Sequence, residues 1–153
     1  MNGVARFVAT AGYVGYAPVA PGTFGSMAGL VVYALLRWSG THTAEFIAIG
    51  LTLGAGIWAA SVMERQLGKD PGPVVIDEVV GMLLTLATLD VTPIGAVVGF
   101  FLFRALDIVK PFPAGRLERL HGGPGIMLDD VMAGVYGNLV MRGLIAVFPW
   151  ALT

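Results

Sequence analysis

Uncharged apolar stretches of helical length, each closed by a charged or proline-rich break, set the pattern of this chain. Between Arg6 and Arg37 there is no charge at all. Within that stretch Phe24 to Leu36 forms a helix-length run, reached through Pro21-Gly22-Thr23 and closed by Arg37. Ser39, Gly40, Thr41 and Thr43 cluster next, so residues 37–44 read as a connection. Phe46 to Met63 is uncharged and runs into the polar end Glu64-Arg65-Gln66-Leu67, and Lys69-Asp70-Pro71-Gly72-Pro73 then breaks the chain. A third helix is predicted from about Asp77 to Leu89. Asp90-Val91-Thr92-Pro93 turns the chain into a fourth, from about Ile94 to Lys110, stopped by Pro111 and Pro113. After the loop His121-Gly122-Gly123-Pro124-Gly125, Asp129 opens a last helix through Asn138 and Met141 towards Phe148-Pro149. The runs are long and do not alternate as strands do, which predicts an all-α fold. Without internal repeat or low-complexity linker, residues 1–153 are expected to form a single domain, a compact multihelical bundle of very apolar helices.

Composition sharpens this picture. The 153 residues are 56% hydrophobic and 12% charged, with a mean hydropathy of +0.80. Soluble domains carry about 25% charged residues, so the composition points to a membrane-associated protein or a very apolar helical bundle. Such a composition excludes a disordered chain. A net charge of -1 without basic runs argues against nucleic-acid binding. Zero cysteines exclude a disulfide framework, thiolate catalysis and Cys-based zinc. Full spans are harder to place. A span needs about 20 apolar residues; Phe46–Met63 offers 18 and Asp77–Leu89 only 13. One straight span from Val79 to Phe103 would carry Asp90 and Pro93 near its middle, at high cost. A bundle dipping into or lying on a bilayer fits better than a clean multi-pass topology. Arg6 before Phe7–Ala11, and Ala17-Pro18-Val19-Ala20, faintly resemble a signal peptide and its cleavage site. Gly12, Gly15, Pro18 and Pro21 interrupt that run, so the segment is expected to be retained, with the protein in the cytoplasm or on the inner face of a membrane.

Folding the helices up and down, as short connections demand, sorts the charges. Asp77, Glu78, Asp107, Asp129 and Asp130, half of the ten acids, fall at one end. Arg65, Lys69, Arg104, Lys110, Arg116 and Arg119, six of nine cations, fall there too. Five clustered carboxylates repel one another unless a cation neutralises them, and Mg²⁺ with oxygen ligands does so. Arg104, Asp107 and Lys110 share one helix face, which offers a metal ligand between two phosphate-reading cations. Pro21-Gly22-Thr23-Phe24-Gly25-Ser26 leads into a helix N-terminus, where free backbone N–H groups favour an anion, so Gly22, Thr23, Gly25 and Ser26 are candidate phosphate contacts. No Lys follows, so this is not a Walker loop. Each feature also has a plain structural reading. Asp77 and Asp129 could be helix caps, Arg104 and Asp107 an ion pair, Gly22 and Gly25 turn residues, and His42 and His121 surface histidines. Gly81, Ala133 and Gly134 could simply permit close packing. These readings do not explain why the charges gather at one end, and Asp107, late in an apolar helix, has no solvation reason to be there.

Four segments, in order, carry a resemblance. Ala20-Pro21-Gly22-Thr23-Phe24-Gly25-Ser26, Val75-Ile76-Asp77-Glu78-Val79-Val80-Gly81, Phe103-Arg104-Ala105-Leu106-Asp107-Ile108-Val109-Lys110-Pro111-Phe112-Pro113 and residues 121–134, from His121-Gly122-Gly123 through Asp129-Asp130 to Gly134, resemble the signatures of the phosphatidylglycerophosphatase A family. The resemblance implies an all-α bacterial inner-membrane enzyme that removes the terminal phosphate of phosphatidylglycerophosphate, with Mg²⁺, to give phosphatidylglycerol. It implies that Asp77, Glu78, Asp107, Asp129 and Asp130 bind metal or activate water, and that Arg104 and Lys110 hold the phosphate. Direct water attack is expected, because there is no Cys, no His in a nucleophile motif and no Asp-x-Asp pair for an aspartyl-phosphate. Mg²⁺ would acidify a bound water, with Glu78 or Asp130 taking its proton. If the chain inserts, the cations at the active end favour the cytoplasmic side for it, which is where the site is expected. Three alternatives stand beside this one. A phosphotransferase acting on nucleotide-diphosphate lipids would carry an Asp-Gly-x-x-Ala-Arg string, which does not occur here. A non-catalytic helical membrane protein would scatter its charges. A phosphatase of another lipid or small phosphomonoester would share all the features above. Oligomeric state leaves no mark in the pattern.

Overall fold

A computed structural model describes residues 2–153. The chain runs through α1 (Gly3–Ala9), a 3-10 turn (Val14–Tyr16), α2 (Pro21–Trp38), α3 (His42–Leu67) and α4 (Ile76–Leu86). It continues through α5 (Pro93–Val109), α6 (Ala114–Leu117), α7 (Gly123–Val147) and α8 (Pro149–Leu152). The described residues contain helices and no strands, as the unalternating apolar runs predict.

The short helix α4 is the centre of the bundle. A helix that is apolar on every side must be buried on every side, and Val79, Val80, Met82, Leu83, Thr85 and Leu86 are all buried. Its neighbours approach through residues that lack side chains. A Cβ on Gly134 of α7 would lie 2.9 Å from the Leu84 Cβ and 3.1 Å from the Gly81 Cα. A Cβ on Gly25 or Gly29 of α2 would come within 2.8 Å of the Cβ of Val75 or Met82. Small residues at such crossings let backbones meet, which is how helices pack where lipid removes the hydrophobic drive between them. Phe103 of α5, fully buried, fills the space that Gly81 leaves.

The exterior is apolar as well. Phe24, Met27, Val31, Leu35 and Trp38 are exposed along α2, and Ile94, Val97, Phe101 and Ile108 along α5. Soluble monomers rarely expose apolar patches beyond a few hundred Å². The 26-residue α3 and 25-residue α7 are long and apolar enough to cross a membrane. Together these features support membrane association.

Several boundaries differ from the sequence expectation. The helix expected from Phe24 begins at Pro21, whose fixed φ and missing N–H suit a first helical position. Only residues 39–41 separate α2 from α3, so the expected connection over 37–44 is mostly helix. The expected Asp77–Leu89 helix spans Ile76–Leu86, and the chain turns at Thr88 with φ +59°. The last helix begins at Gly123, not at Asp129, so Asp129 lies inside it and cannot be its cap. Helices α1, α6 and α8 were not expected. Asn2 caps α1, accepting from Val4 N at 3.1 Å, and Val75 N donates to Ala9 O at 2.9 Å, tying α1 to the start of α4. At the opposite end, buried Glu45 accepts from Thr88 N at 2.9 Å and pairs with Arg37 at 3.3 Å. His42 lies 3.3 Å from the same carboxylate, and Arg37 also pairs with Asp90. This knot ties the α2–α3 hairpin to the end of α4.

Candidate active site

Helices α2, α3, α4, α5 and α7 all line one cavity of about 190 Å³. Asp77 and Glu78 occupy the first turn of α4. Asp107 lies in the last turn of α5, and Lys110 caps that helix with φ +48°. Asp129 and Asp130 come from the second turn of α7, and Pro21 and Gly22 from the start of α2. All five acids that the sequence picks out line the cavity, together with Lys110 and Gly22. The depth of Asp129 and Asp130 follows from how α7 begins. Gly123 N donates to Ser61 Oγ at 2.8 Å, and a Cβ on Gly123 would collide with the Ile57 backbone. Backbone contact with α3 therefore seats the helix early, and the two acids fall below the rim, both buried.

The carboxylates are short of partners. Asp77 Oδ1, Glu78 Oε2, Asp129 Oδ1 and Asp130 Oδ2 are buried without a hydrogen bond. An unsatisfied buried polar atom costs about 1–3 kcal/mol, and more when charged. Burial pushes the Asp77 carboxyl well above its usual range, and the neighbouring charges of Glu78 and Asp130 push it further. Burial also raises Glu78; hydrogen bonding to Asp77 opposes the rise, Asp107 adds to it and Arg104 opposes it. One oxygen each from Asp77, Glu78 and Asp130 lies within 4.8 Å of the others. A hard divalent cation takes oxygen ligands in this arrangement, and it would satisfy the orphaned atoms. These residues therefore fit a metal ion.

The cations are already engaged. Arg104 Nη1 donates to Asp107 Oδ2 at 2.6 Å and lies 4.0 Å from Glu78 Oε1, and Arg104 does not itself line the cavity. Lys110 Nζ bridges Asp129 Oδ2 at 2.7 Å and Glu118 Oε1 at 2.9 Å. Burial works against the Lys110 charge, but the bonds to Asp129 and Glu118 outweigh it and raise its pKa.

The Pro-Gly-Thr-Phe-Gly-Ser segment is arranged differently from a phosphate loop. It forms the first turns of α2, and the amides of Thr23 and Phe24 both bond the Ala20 carbonyl, at 2.9 and 3.4 Å. Ser26 is fully buried and its Oγ donates to Gly22 O at 2.9 Å. Gly25 packs on Val75 and on the Glu78 Cβ. Thr23, Gly25 and Ser26 do not line the cavity, whereas Gly22 does, and a Cβ there would collide with Glu78 Oε1. The segment holds α2 close enough to α4 to leave room for that carboxylate. Arg65, Arg116 and Arg119 do not line the cavity, and Arg116 lies over the Phe112 ring at 4.7 Å. Sequence reasoning gave no site role to Glu64, Lys69, Asp70 or Glu118, which do line it. The signal for Glu64 and Lys69 was their place at the same end of the bundle.

A family described as phosphatidylglycerophosphatase A has a sequence model that matches residues 7–145. The chain belongs to this family. A member in Escherichia coli, named phosphatidylglycerophosphatase A, is 36% identical over 79% of this chain and 72% of its own. One of the same name in Haemophilus influenzae is 35% identical over 80% of this chain and 77% of its own. A Bacteroides thetaiotaomicron protein with the provisional name phosphatidylinositol-3-phosphatase is 39% identical over 90% of this chain and 89% of its own. No solved structure matches the chain. As a phosphatidylglycerophosphatase A family member the protein is a lipid phosphatase, a phosphoric monoester hydrolase. That sets aside the phosphotransferase and the non-catalytic membrane protein.

Proposed function

We propose that this phosphatase hydrolyses the terminal phosphomonoester of phosphatidylglycerophosphate with Mg²⁺, at the cytoplasmic face of the bacterial inner membrane. The observation that carries the reading is the group of Asp77, Glu78 and Asp130, three carboxylates gathered within 4.8 Å, each with a buried oxygen that no protein donor satisfies. These three residues would hold Mg²⁺, which when bound supplies charge neutralisation for phosphoryl oxygens and acidifies water.

The remaining side chains have separable tasks. Water oxygen bonds to phosphorus as the bond from phosphorus to the glycerol oxygen breaks. Asp129 is the best-placed acceptor for the water proton: Lys110 holds its Oδ2, while Oδ1 is left free at the cavity. General-base catalysis needs such a positioned, unoccupied lone pair. This assigns to Asp129 the role that the sequence offered to Glu78 or Asp130, because both of those belong to the metal-holding group. The departing glycerol oxygen takes a proton from solvent at the mouth. Asp107 holds Arg104 close to Glu78, so the guanidinium lowers the net negative charge that an incoming phosphate meets. The apolar exterior and the cations gathered at this end support a cytoplasmic, interfacial site.

A second substrate has one specific support, the name borne by the Bacteroides relative. Phosphatidylinositol 3-phosphate carries the same kind of phosphomonoester. Phosphate release from both lipids in detergent, with Mg²⁺ or EDTA, separates the two. The proposal predicts Mg²⁺-dependent release that is faster from phosphatidylglycerophosphate. Faster release from the inositol lipid would replace the substrate.

A further inference from the structure

Eight acidic side chains and two lysines line the cavity. A substrate with a phosphomonoester and a phosphodiester brings more negative charge into an already acidic site. The metal group accounts for the monoester. The two cations that the sequence nominated as phosphate readers are spent: Arg104 on Asp107, and Lys110 on Asp129 and Glu118. Lys69, the other lining lysine, forms no salt bridge among the described residues.

The chain reverses around Lys69 through defined backbone turns. Gly68 ends α3 at φ +95° and Asp70 sits at φ +48°, so left-handed residues flank Lys69 on both sides and turn the chain across the cavity. Only glycine takes the first of these without strain. Val74 N closes the loop onto Pro71 O at 2.8 Å, and Gly15 packs directly against the Pro73 carbonyl. Pro71 is buried, whereas Lys69 is exposed. The turn thus presents an unpaired ammonium at the mouth, while the acids of the metal group lie deeper.

We infer that Lys69 is a specificity residue that binds the phosphodiester of the lipid substrate while its terminal phosphomonoester lies at the acidic group. The inference rests on the lipid-phosphate reading above and deepens it. It holds for any glycerophospholipid bearing both a monoester and a diester phosphate, because the diester is the anion next outward from the reacting phosphate. Lysine serves here as a compact point charge, which binds a diester without needing the planar fork of arginine.

The test is steady-state hydrolysis of phosphatidylglycerophosphate in mixed micelles by wild type, Lys69→Gln and Lys69→Arg, with inorganic phosphate as a competing product. Lys69→Gln should raise KM about tenfold, the factor expected for one contact to a charged group. Its kcat should stay within about twofold, the signature of lost uniform binding. The inhibition constant of inorganic phosphate should be unchanged, since that ion occupies the deeper position, and Lys69→Arg should recover most of the KM. An unchanged KM in Lys69→Gln overturns the inference and leaves the phosphatase reading intact. So does a KM that rises in step with the phosphate inhibition constant, which would put Lys69 on the monoester. No release by wild type from phosphatidylglycerophosphate or from phosphatidylinositol 3-phosphate, which carries the same phosphate pair, would remove the reading and the inference with it.

Discussion

Replacing Asp130 by Asn should stabilise the metal-free protein and abolish its response to Mg²⁺. Asp130 is buried, its Oδ2 has no partner, and the carboxylates of Asp77 and Glu78 stand close by. Without a cation, its charge is opposed by burial and by its neighbours. The amide removes that charge and turns one repelled oxygen into a donor facing carboxylate acceptors. Relief of one unsatisfied buried polar atom is worth about 1–3 kcal/mol. For a chain of this length 1 kcal/mol moves Tm by about 2–4 °C, so the variant in EDTA should melt a few degrees above wild type, up to about 12 °C at the upper limits. Mg²⁺ should act in the opposite sense. A ligand at a hundredfold its Kd adds about 2.7 kcal/mol, which raises wild-type Tm by about 5–10 °C on the same scale. The variant, lacking one of three ligands, should show little of that rise. Melting of both proteins in detergent, in EDTA and in excess Mg²⁺, reads all four values. A wild type indifferent to Mg²⁺ together with an Asp130→Asn variant destabilised in EDTA would refute the reasoning, because the carboxylate would then be a satisfied structural group.

Three further outcomes follow from the same geometry. Asp77 and Glu78 have raised pKa values in the folded, metal-free protein. The unfolded chain releases these protons at about pH 4 and the folded chain at higher pH, so metal-free stability falls as pH rises through that window; urea midpoints in EDTA that increased from pH 5 to 8 would contradict this. Gly22→Ala places a methyl on Glu78 Oε1, and kcat should fall more than tenfold, of the order produced by losing a single preorganised group, with far-ultraviolet circular dichroism unchanged; undiminished turnover would show that the α2–α4 approach does not shape the site. Glu45→Gln weakens the knot at the far end, where Glu45 faces Arg37, His42 and the Thr88 amide. It should cost about 1–3 kcal/mol in stability while leaving kcat near wild type, and a large loss of kcat in a folded variant would tie that end to the reaction.

The candidate site was legible because charge is scarce in this chain. With so few acids, each one at the end of an apolar run stood out, and up-and-down topology then brought Asp77, Glu78, Asp107, Asp129 and Asp130 to one end, where they line the same cavity. The details that were not legible depend on close tertiary approach. His121-Gly122-Gly123-Pro124-Gly125 has the local chemistry of a loop, yet Gly123 and Gly125 start a helix because they fit against the backbones of Ile57 and Leu120. That shift moves Asp129 from a cap to the interior. Ser26 has the composition of a phosphate contact, but its hydroxyl bonds the preceding turn of its own helix. Lys69 lies in a segment that reads as a break and Glu118 in one without a motif, and only the folded chain shows that Glu118 pairs with Lys110 and that Lys69 lines the cavity. Helix α1 was hidden by the glycines that follow it, and its place is set by Ala5 and Ala9 packing into the core.

The most direct measurement is phosphate release from phosphatidylglycerophosphate by detergent-purified protein, in Mg²⁺ and in EDTA, alongside Asp129→Asn and Asp107→Asn. Release should require Mg²⁺ and be lost in both variants, with Asp129→Asn lacking the proton acceptor and Asp107→Asn lacking the carboxylate charge that holds Arg104 beside Glu78. Release that persists in EDTA and in both variants would contradict it, and would make the acidic cluster a structural feature of the bundle.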